Sequence, residues 1–222
     1  MGKVIDHTHP ESVRLQGAIG NHRWNGAYYY SVEIVRHFVP NVETDRNWIT
    51  IRAGDVCMDR SIVFVHDIWK FEEKYGYTFP YKDMVYVVSM PDMLKRVAKY
   101  GKVVYLPLSV DVAEVEAYRR DKDRDLAFFG RTEWRMNWLN GAFEFPPETD
   151  FVGMVPREEL LAEMARYRRV YAVCRTAIEA KILGCEVLPF HPRFPDPAQW
   201  QVIDSRDAAR MLQEELWRID GR

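Results

Sequence analysis

The residues with the clearest chemical pattern form a short polar turn, Cys174-Arg175-Thr176, that follows an apolar run and precedes a helix-forming segment. Free backbone N–H groups at a helix start, together with the positive end of the helix dipole, favour a bound phosphate. Arg175 adds a charged fork and Thr176 adds a hydroxyl, and both suit phosphate oxygens. The turn therefore predicts a site for a phosphorylated ligand.

Glu179 lies one turn further along the same segment, among small and apolar residues. A carboxylate in this position can accept two hydrogen bonds from the diol of a ribose. The same spacing also suits a cap on its own helix or an ion pair with Lys181 or Arg175. The sequence leaves the ribose site and these structural roles open.

The elements that position these residues alternate between strand and helix from Phe151 to Phe190. A helix begins at Pro156, where proline is tolerated, and Gly184 ends the next helix. Apolar runs at Val170–Val173 and Glu186–Phe190 predict strands. Helices between strands predict a parallel sheet with right-handed crossovers, and ligands bind beyond the carboxyl ends of such strands.

Three stretches resemble the C-terminal domain of glycosyltransferases with the GT-B fold. Residues 176–189, TAIEAKILGCEVLP, resemble the donor-binding segment, in which a Glu-Ala pair, a turn ending in Gly and a strand follow in this order. Residues 151–160, FVGMVPREEL, are similar to the strand, glycine and helix whose loop usually holds the nucleobase. Residues 125–131, DLAFFGR, resemble the Gly-Arg turn that faces the donor diphosphate. Many retaining members carry a second glutamate where this chain has Tyr171, so the resemblance implies no stereochemistry.

The resemblance implies an α/β, GT-B-like fold with two Rossmann-type parallel-sheet domains that face a cleft. It implies a hexosyltransferase-like, metal-independent enzyme that needs no cofactor and takes a nucleotide sugar as co-substrate, with cations stabilising the leaving diphosphate. Arginines and Thr176 would contact the diphosphate, Glu179 would hold the ribose, and the loop at Gly153 would frame the base. The implied donor-binding residues are Gly130, Arg131, Arg135, Gly153, Met154, Val155, Arg175, Thr176 and Glu179.

His66 and Asp67 directly follow Ser61–Val65, an apolar run that predicts a central parallel strand. An imidazole at a strand end can act as general base or donate a hydrogen bond to a sugar, because it titrates near neutral pH. Adjacent residues on an extended strand point in opposite directions, so the two need not act together. The structural alternative is a helix-capping Asp67 with a hydrogen-bonded His66.

A polar aromatic loop between Gly20 and Gly26 contains His22, Trp24 and Asn25 and precedes a helix-forming segment. In GT-B enzymes a loop in this place commonly helps to bind the acceptor or the transferred sugar. We therefore assign His22 to the candidate catalytic residues, with His66 and Asp67, and Trp24, Asn25 and Gly26 to the acceptor side. An ordinary turn with an Asn-Gly helix entry is the alternative.

The segment Asp6-His7-Thr8-His9 is similar to the metal-binding His-x-His of amidohydrolase barrels. Those enzymes need further ligands on later strands of a barrel of about 250 residues. The remaining histidines do not follow such a series of strands, so we assign no metal site and expect a solvent-facing segment. A metal-dependent hydrolase remains a third functional alternative, after a non-catalytic nucleotide or nucleotide-sugar binding protein.

The chain has 222 residues, of which 47% are hydrophobic, and a formal net charge of −2. These values exclude a disordered chain and a generally basic nucleic-acid binder. No run of roughly 18 apolar residues and no signal-peptide pattern occurs, so we expect a cytoplasmic protein without a membrane span. Cys57, Cys174 and Cys185 are odd in number and widely spaced, which favours buried thiols in a reducing compartment.

A charged stretch without apolar residues, 119–125, predicts the domain boundary. We expect an acceptor-side Rossmann-like domain over residues 1–120 and a nucleotide-sugar-binding Rossmann-like domain over 121–222. The helix predicted at Arg206–Arg218 would wrap back, and the arginines at 166–169 are interpreted as a solvated helix end. The sequence does not identify the donor sugar or its base, the oligomeric state or the acceptor, for which a nucleobase in DNA, a protein and a small molecule are all open.

Overall fold

The computed structural model describes residues 30, 33, 34, 37, 47–49, 61–65, 82–130, 143–153, 155–191 and 194–221. The chain divides into two compact units. The first unit extends to Leu108 and includes Ser205–Arg222, and the second unit is Ser109–Asp204.

The described elements alternate between parallel strands and helices. In chain order they are β1 (Asn47–Ile49), β2 (Ser61–Val65), β3 (Val85–Val88), α1 (Met93–Val97), β4 (Lys102–Tyr105), α2 (Val112–Glu116), β5 (Arg124–Phe129), β6 (Asp150–Val152), α3 (Arg157–Met164), β7 (Tyr167–Tyr171), α4 (Cys174–Ile182), β8 (Glu186–Leu188), a 3-10 turn (Pro197–Gln199) and α5 (Ser205–Asp220). None of these helices is both long and apolar enough to cross a membrane.

The first unit is a parallel sheet with the strand order β1-β2-β3-β4. All four residues of β3 are buried, as expected for a central strand covered on both faces. The hydroxyl of Tyr30 donates to the carbonyl of Leu106 at 2.9 Å, and the hydroxyl of Ser205 donates to Glu33 at 3.0 Å. These bonds join the helical residues Tyr30 and Glu33 to the end of β4 and to the start of α5.

The second unit is also a parallel sheet, with the strand order β6-β5-β7-β8. The chain adds β6 on one side of β5 and then β7 and β8 on the other side, so the direction of winding reverses between β5 and β7. This topology confirms the α/β class and the parallel sheets that the sequence predicts. It is compatible with Rossmann-like units.

An aromatic cluster covers one face of this second sheet. Leu126, Phe128, Tyr171 and Phe190 are buried in it, and neighbouring rings contact each other edge-on, for example Phe128 and Phe145 with centroids 5.1 Å apart. Partly buried residues that pack against it are Phe143, Phe145, Phe151, Val173, Leu188 and Phe194. Phe128 and Tyr171 are paired in register, so the cluster fixes the two central strands near their carboxyl ends.

Two sequence expectations differ from the structure in this region. The strand predicted at Val170–Val173 is β7, which begins earlier, at Tyr167, so two of the arginines interpreted as a helix end lie in a strand. The reason is cross-strand pairing, because Arg169 forms an ion pair with Asp125 of β5 at 2.5 Å. The polar turn expected at 174–176 is already helical, since α4 begins at Cys174.

The division between the units also differs from the boundary expected at residue 120. Val110 N donates to the carbonyl of Ile203 at 3.1 Å, and Val112 N donates to the Asp204 carboxylate at 3.2 Å. These bonds tie the start of α2 to the end of the second unit, and Lys122 of the charged stretch donates to the carbonyls of Ala165 and Leu183 in the same unit.

Candidate functional site

The candidate site lies at the carboxyl ends of β5, β6 and β7. Gly130 directly follows β5, Gly153 directly follows β6, and Ala172 and Val173 separate β7 from α4. The three positions lie at one edge of the sheet because the strands are parallel, and Gly130 N donates to the carbonyl of Val152 at 3.2 Å. The reversal of winding between β5 and β7 makes this edge the expected ligand position in such a sheet.

The start of α4 lies at this edge without a side-chain cap. Its N-cap residue is Val173, which has no polar group to bind the first N–H groups of the helix. Cys174 follows in the left-handed region, with φ of 56°. Thr176, in the first turn, is half-buried. An uncapped helix start favours an anion, because it offers N–H donors and a positive dipole end.

Arg175 and Glu179 lie beneath this helix start and contact each other. Their side chains are 4% and 3% exposed, and Arg175 Nε donates to Glu179 Oε1 at 2.8 Å. Arg175 Nη1 also donates to the carbonyl of Ser109 at 3.2 Å. Of the roles that the spacing left open for Glu179, the structure contains the ion pair with Arg175. The donor-binding roles of the two residues stay predictions.

Arg157 joins this pair, and the sequence analysis gave it no functional role. It is the first residue of α3, it is buried, and its Nη1 donates to the same Oε1 atom of Glu179. Its Nε donates to Glu114 Oε1 of α2 at 3.2 Å. Glu114, Arg157, Glu179 and Arg175 thus form a chain of alternating charges, which we call the buried charge network; Arg157, Glu179 and Arg175 are buried, and Glu114 is its exposed end. Removing one partner from such a network leaves an uncompensated charge.

One feature of the sequence points to Arg157. A cation at the first position of a helix opposes the helix dipole, so it needs a nearby acid to be stable there. The two acids that it contacts, Glu114 and Glu179, lie far from it in the chain. Spacing rules for a single helix could not have identified either contact.

The glycines at the candidate site have different surroundings. A Cβ atom on Gly130 would lie 2.8 Å from Cζ of Phe128, so the ring of the aromatic cluster already favours glycine there. Gly153 and Val155 are half-buried in the connection from β6 to α3, where the family resemblance implies a base-binding loop. Their role and that of Gly130 stay predictions.

The other residues assigned from the sequence lie outside the described part of the chain. They are the segment Asp6-His7-Thr8-His9, His22, Trp24, Asn25, Gly26, His66, Asp67, Arg131, Arg135 and Met154. Within the ranges that the structure describes, no group of three His, Cys, Asp or Glu side chains is arranged to hold a metal ion.

The surroundings of the two described cysteines disfavour the thiolate form. Burial raises the pKa of Cys174 to about 11. Burial also raises the pKa of Cys185, although the ammonium group of Lys122 opposes this shift. The Cys185 thiol donates to the carbonyl of Met164 at 3.4 Å. Neither thiol has the thiolate character of a nucleophile.

Comparison with known proteins adds no family. No protein-family model, curated protein or solved structure matches the chain.

Proposed function

We propose that the chain is a glycosyltransferase of the GT-B type, and that its second unit binds the nucleotide part of a nucleotide-sugar donor. The observation that carries this proposal is the uncapped start of α4 beside the reversal of winding between β5 and β7. A buried carboxylate, Glu179, lies one turn behind it. The segment that resembles a donor-binding segment begins in this turn, at Thr176.

The proposed roles follow from the geometry of α4. The diphosphate accepts hydrogen bonds from the first N–H groups of the helix and from the Thr176 hydroxyl. Glu179 accepts a hydrogen bond from the ribose, and the connection at Gly153 and Val155 contacts the base. Arg175 acts mainly as a buried positive charge below the diphosphate, because its donors already contact Glu179 and the Ser109 carbonyl.

In the proposed reaction an acceptor nucleophile attacks the anomeric carbon of the donor, and the bond to the diphosphate oxygen breaks. The nucleoside diphosphate leaves with the bonding electrons, so charge develops where the helix start and nearby cations stabilise it. We expect Arg131 and Arg135 to supplement these cations. His66, Asp67 or His22 is the predicted base for the acceptor proton.

A thermal-shift screen of the purified chain tests donor binding. UDP-, GDP-, ADP- and TDP-sugars are each added with and without a chelator, because a ligand that binds only the native state raises the melting temperature. The test variant is Thr176→Asp, whose carboxylate suits the helix dipole but repels a phosphate. The matched control is Gln201→Glu, which adds the same charge at an exposed position of the second unit.

We expect one nucleotide sugar to stabilise the parent and the control but not Thr176→Asp. Release of the nucleoside diphosphate from that donor would then indicate catalysis. Binding without any release would favour the non-catalytic nucleotide-sugar binding protein instead. If no nucleotide sugar stabilises the parent, the proposal is wrong.

A further inference from the structure

The two guanidinium groups of the buried charge network contact the same oxygen of Glu179. Arg157 Nη1 and Arg175 Nε both donate to Oε1. A carboxylate oxygen has about two acceptor sites, so these donors fill Oε1. Within the described part of the chain no hydrogen bond reaches Oε2 of Glu179. The carboxylate therefore has one saturated oxygen and one oxygen that can accept hydrogen bonds from a ligand.

The two arginines constrain this carboxylate in different ways. Arg175 lies four residues before Glu179 on the same helix, and such a pair alone leaves the carboxylate free to exchange its two oxygens by rotation. Arg157 approaches from another helix, and its own planar group is fixed by Glu114. Donors from two helices on one oxygen hold the carboxylate in a single orientation. Arg157 is therefore the group that decides which oxygen is left for a ligand.

We propose that Arg157 is a positioning residue that directs Oε2 of Glu179 to a ribose hydroxyl, and that it thereby sets a preference for ribonucleotides over 2′-deoxyribonucleotides. This inference rests on the proposed function. It adds the class of nucleotide that the site selects and the residue that produces the selection, to which the family resemblance gives no role. Arg157 itself does not contact the ligand and acts through Glu179.

The choice of variants follows from the charges of the network. Removing Arg157 alone leaves two carboxylates with one guanidinium, which endangers the fold. The double variant Arg157→Met with Glu114→Gln leaves Arg175 and Glu179 as a neutral pair. Arg157→Lys keeps the charge but loses the planar fork. The matched control is Arg166→Met, because Arg166 follows α3, pairs with Asp123 and Glu163, and does not contact Glu179.

The experiment measures calorimetric binding of UDP, GDP and ADP and of their 2′-deoxy forms to each protein. For the nucleotide that the parent binds most tightly, we expect the parent to prefer the ribose form by at least about 10-fold, as for a hydrogen bond to a charged group. Both Arg157 variants should lower the ratio of ribose-form affinity to deoxy-form affinity towards one. Their affinity for the deoxy form should stay nearly unchanged. Arg166→Met should keep the parent ratio.

The ratio of the affinities for the ribose and 2′-deoxy forms distinguishes a positioning role from a merely structural one. A variant that only perturbs the structure would bind both forms more weakly by the same factor. An unchanged ratio in Arg157→Lys, whose folding is checked by circular dichroism, overturns the inference even if the double variant does not fold. A parent that binds nucleotides without a ribose preference also overturns it, while the proposed function stands. A parent that binds none of these nucleotides overturns the inference, whereas the proposed function is decided separately by the nucleotide-sugar screen, which also contains TDP-sugars.

Discussion

In the second unit, charged side chains lie at both edges of the sheet, at the amino ends and at the carboxyl ends of the strands. They are arranged differently at the two edges. At the amino edge, Tyr167 donates to the Asp150 carboxylate at 2.8 Å and accepts a hydrogen bond from Arg124 at 2.8 Å. Lys122 lies at the same edge and donates to the carbonyls of Ala165 and Leu183, just beyond the last residues of α3 and α4, at 2.9 and 2.7 Å. Side chains therefore occupy the helix ends at this edge.

At the carboxyl edge the residues that precede the two helices do not cap them. Neither Pro156, before α3, nor Val173, before α4, provides a side-chain cap. The charged side chains there are buried behind the helix starts and contact each other. At the amino edge, side chains thus bind the helix ends, whereas at the carboxyl edge the N-cap residues make no side-chain bond and Arg157, Arg175 and Glu179 are buried. Arginine–carboxylate pairs should therefore matter far more at the carboxyl edge.

The largest difference between the edges is expected when one charge is removed from each. Glu179→Ala leaves Arg157 and Arg175 buried beside each other, so we expect a loss of about 3–5 kcal/mol in the free energy of unfolding. Asp125→Ala removes an exposed pair with Arg169, and its unfolding midpoint should hardly change. Urea denaturation followed by circular dichroism measures both. Equal losses in the two variants would show that burial does not distinguish the edges.

The substitution Lys122→Met tests how much the bonds of Lys122 to the ends of α3 and α4 contribute to stability. The substitution removes two hydrogen bonds from an ammonium group to helix carbonyls and its favourable interaction with two helix dipoles. We expect a loss of roughly 2 kcal/mol in the free energy of unfolding. Nucleotide binding should persist, because Lys122 lies at the opposite edge from α4's start.

Lys102→Met is the control for this variant. Lys102 forms an exposed pair with Asp83 at 3.3 Å in the first unit, so its removal should leave the urea midpoint almost unchanged. A Lys122→Met protein as stable as this control would contradict the role of Lys122. A loss of nucleotide binding at preserved stability would contradict the separation of the two edges.

The fold could largely be predicted from the sequence, because its signals are local. Ser61–Val65 is a continuous apolar run and forms β2 with the predicted bounds. Gly184 ends α4 with φ of 78°, a conformation that glycine adopts without strain. The start of β7 was missed because its arginines resemble a helix end until their partners on β5 are known. Local pattern thus specifies element types, whereas cross-strand partners fix the bounds of a charged strand.

The candidate site could be predicted only in part. The spacing of Arg175 and Glu179 suggested both an ion pair and a ligand site, and one helix turn is enough to bring them together. Arg157 could not be assigned, because α2, α3 and α4 bring Glu114, Arg157 and Glu179 together from distant parts of the chain. A buried network of this kind depends on tertiary packing, which cannot be predicted from the periodicity of apolar and polar residues in the sequence.

The smallest expected effect concerns the exposed acids of the amino edge. Hydrogen bonds from Arg166 and Arg169 lower the pKa of Asp123 and Asp125, respectively, below the ordinary value of 3.8. Because these pKa values are lower in the folded state, their contribution to stability is complete above pH 3.8. It is lost as the pH falls through the folded-state values.

The unfolding midpoints of the parent and of the Asp123→Asn/Asp125→Asn variant, compared at pH 5 and pH 3, measure this contribution. The parent should lose slightly more stability than the variant on acidification, and added salt should reduce the difference, because exposed charges are screened. An identical pH dependence of the two proteins would mean that the pairs contribute nothing to stability. The closure of the amino edge would then depend on Lys122 and on the contacts of Tyr167 with Arg124 and Asp150, in contrast to the buried charges of the carboxyl edge.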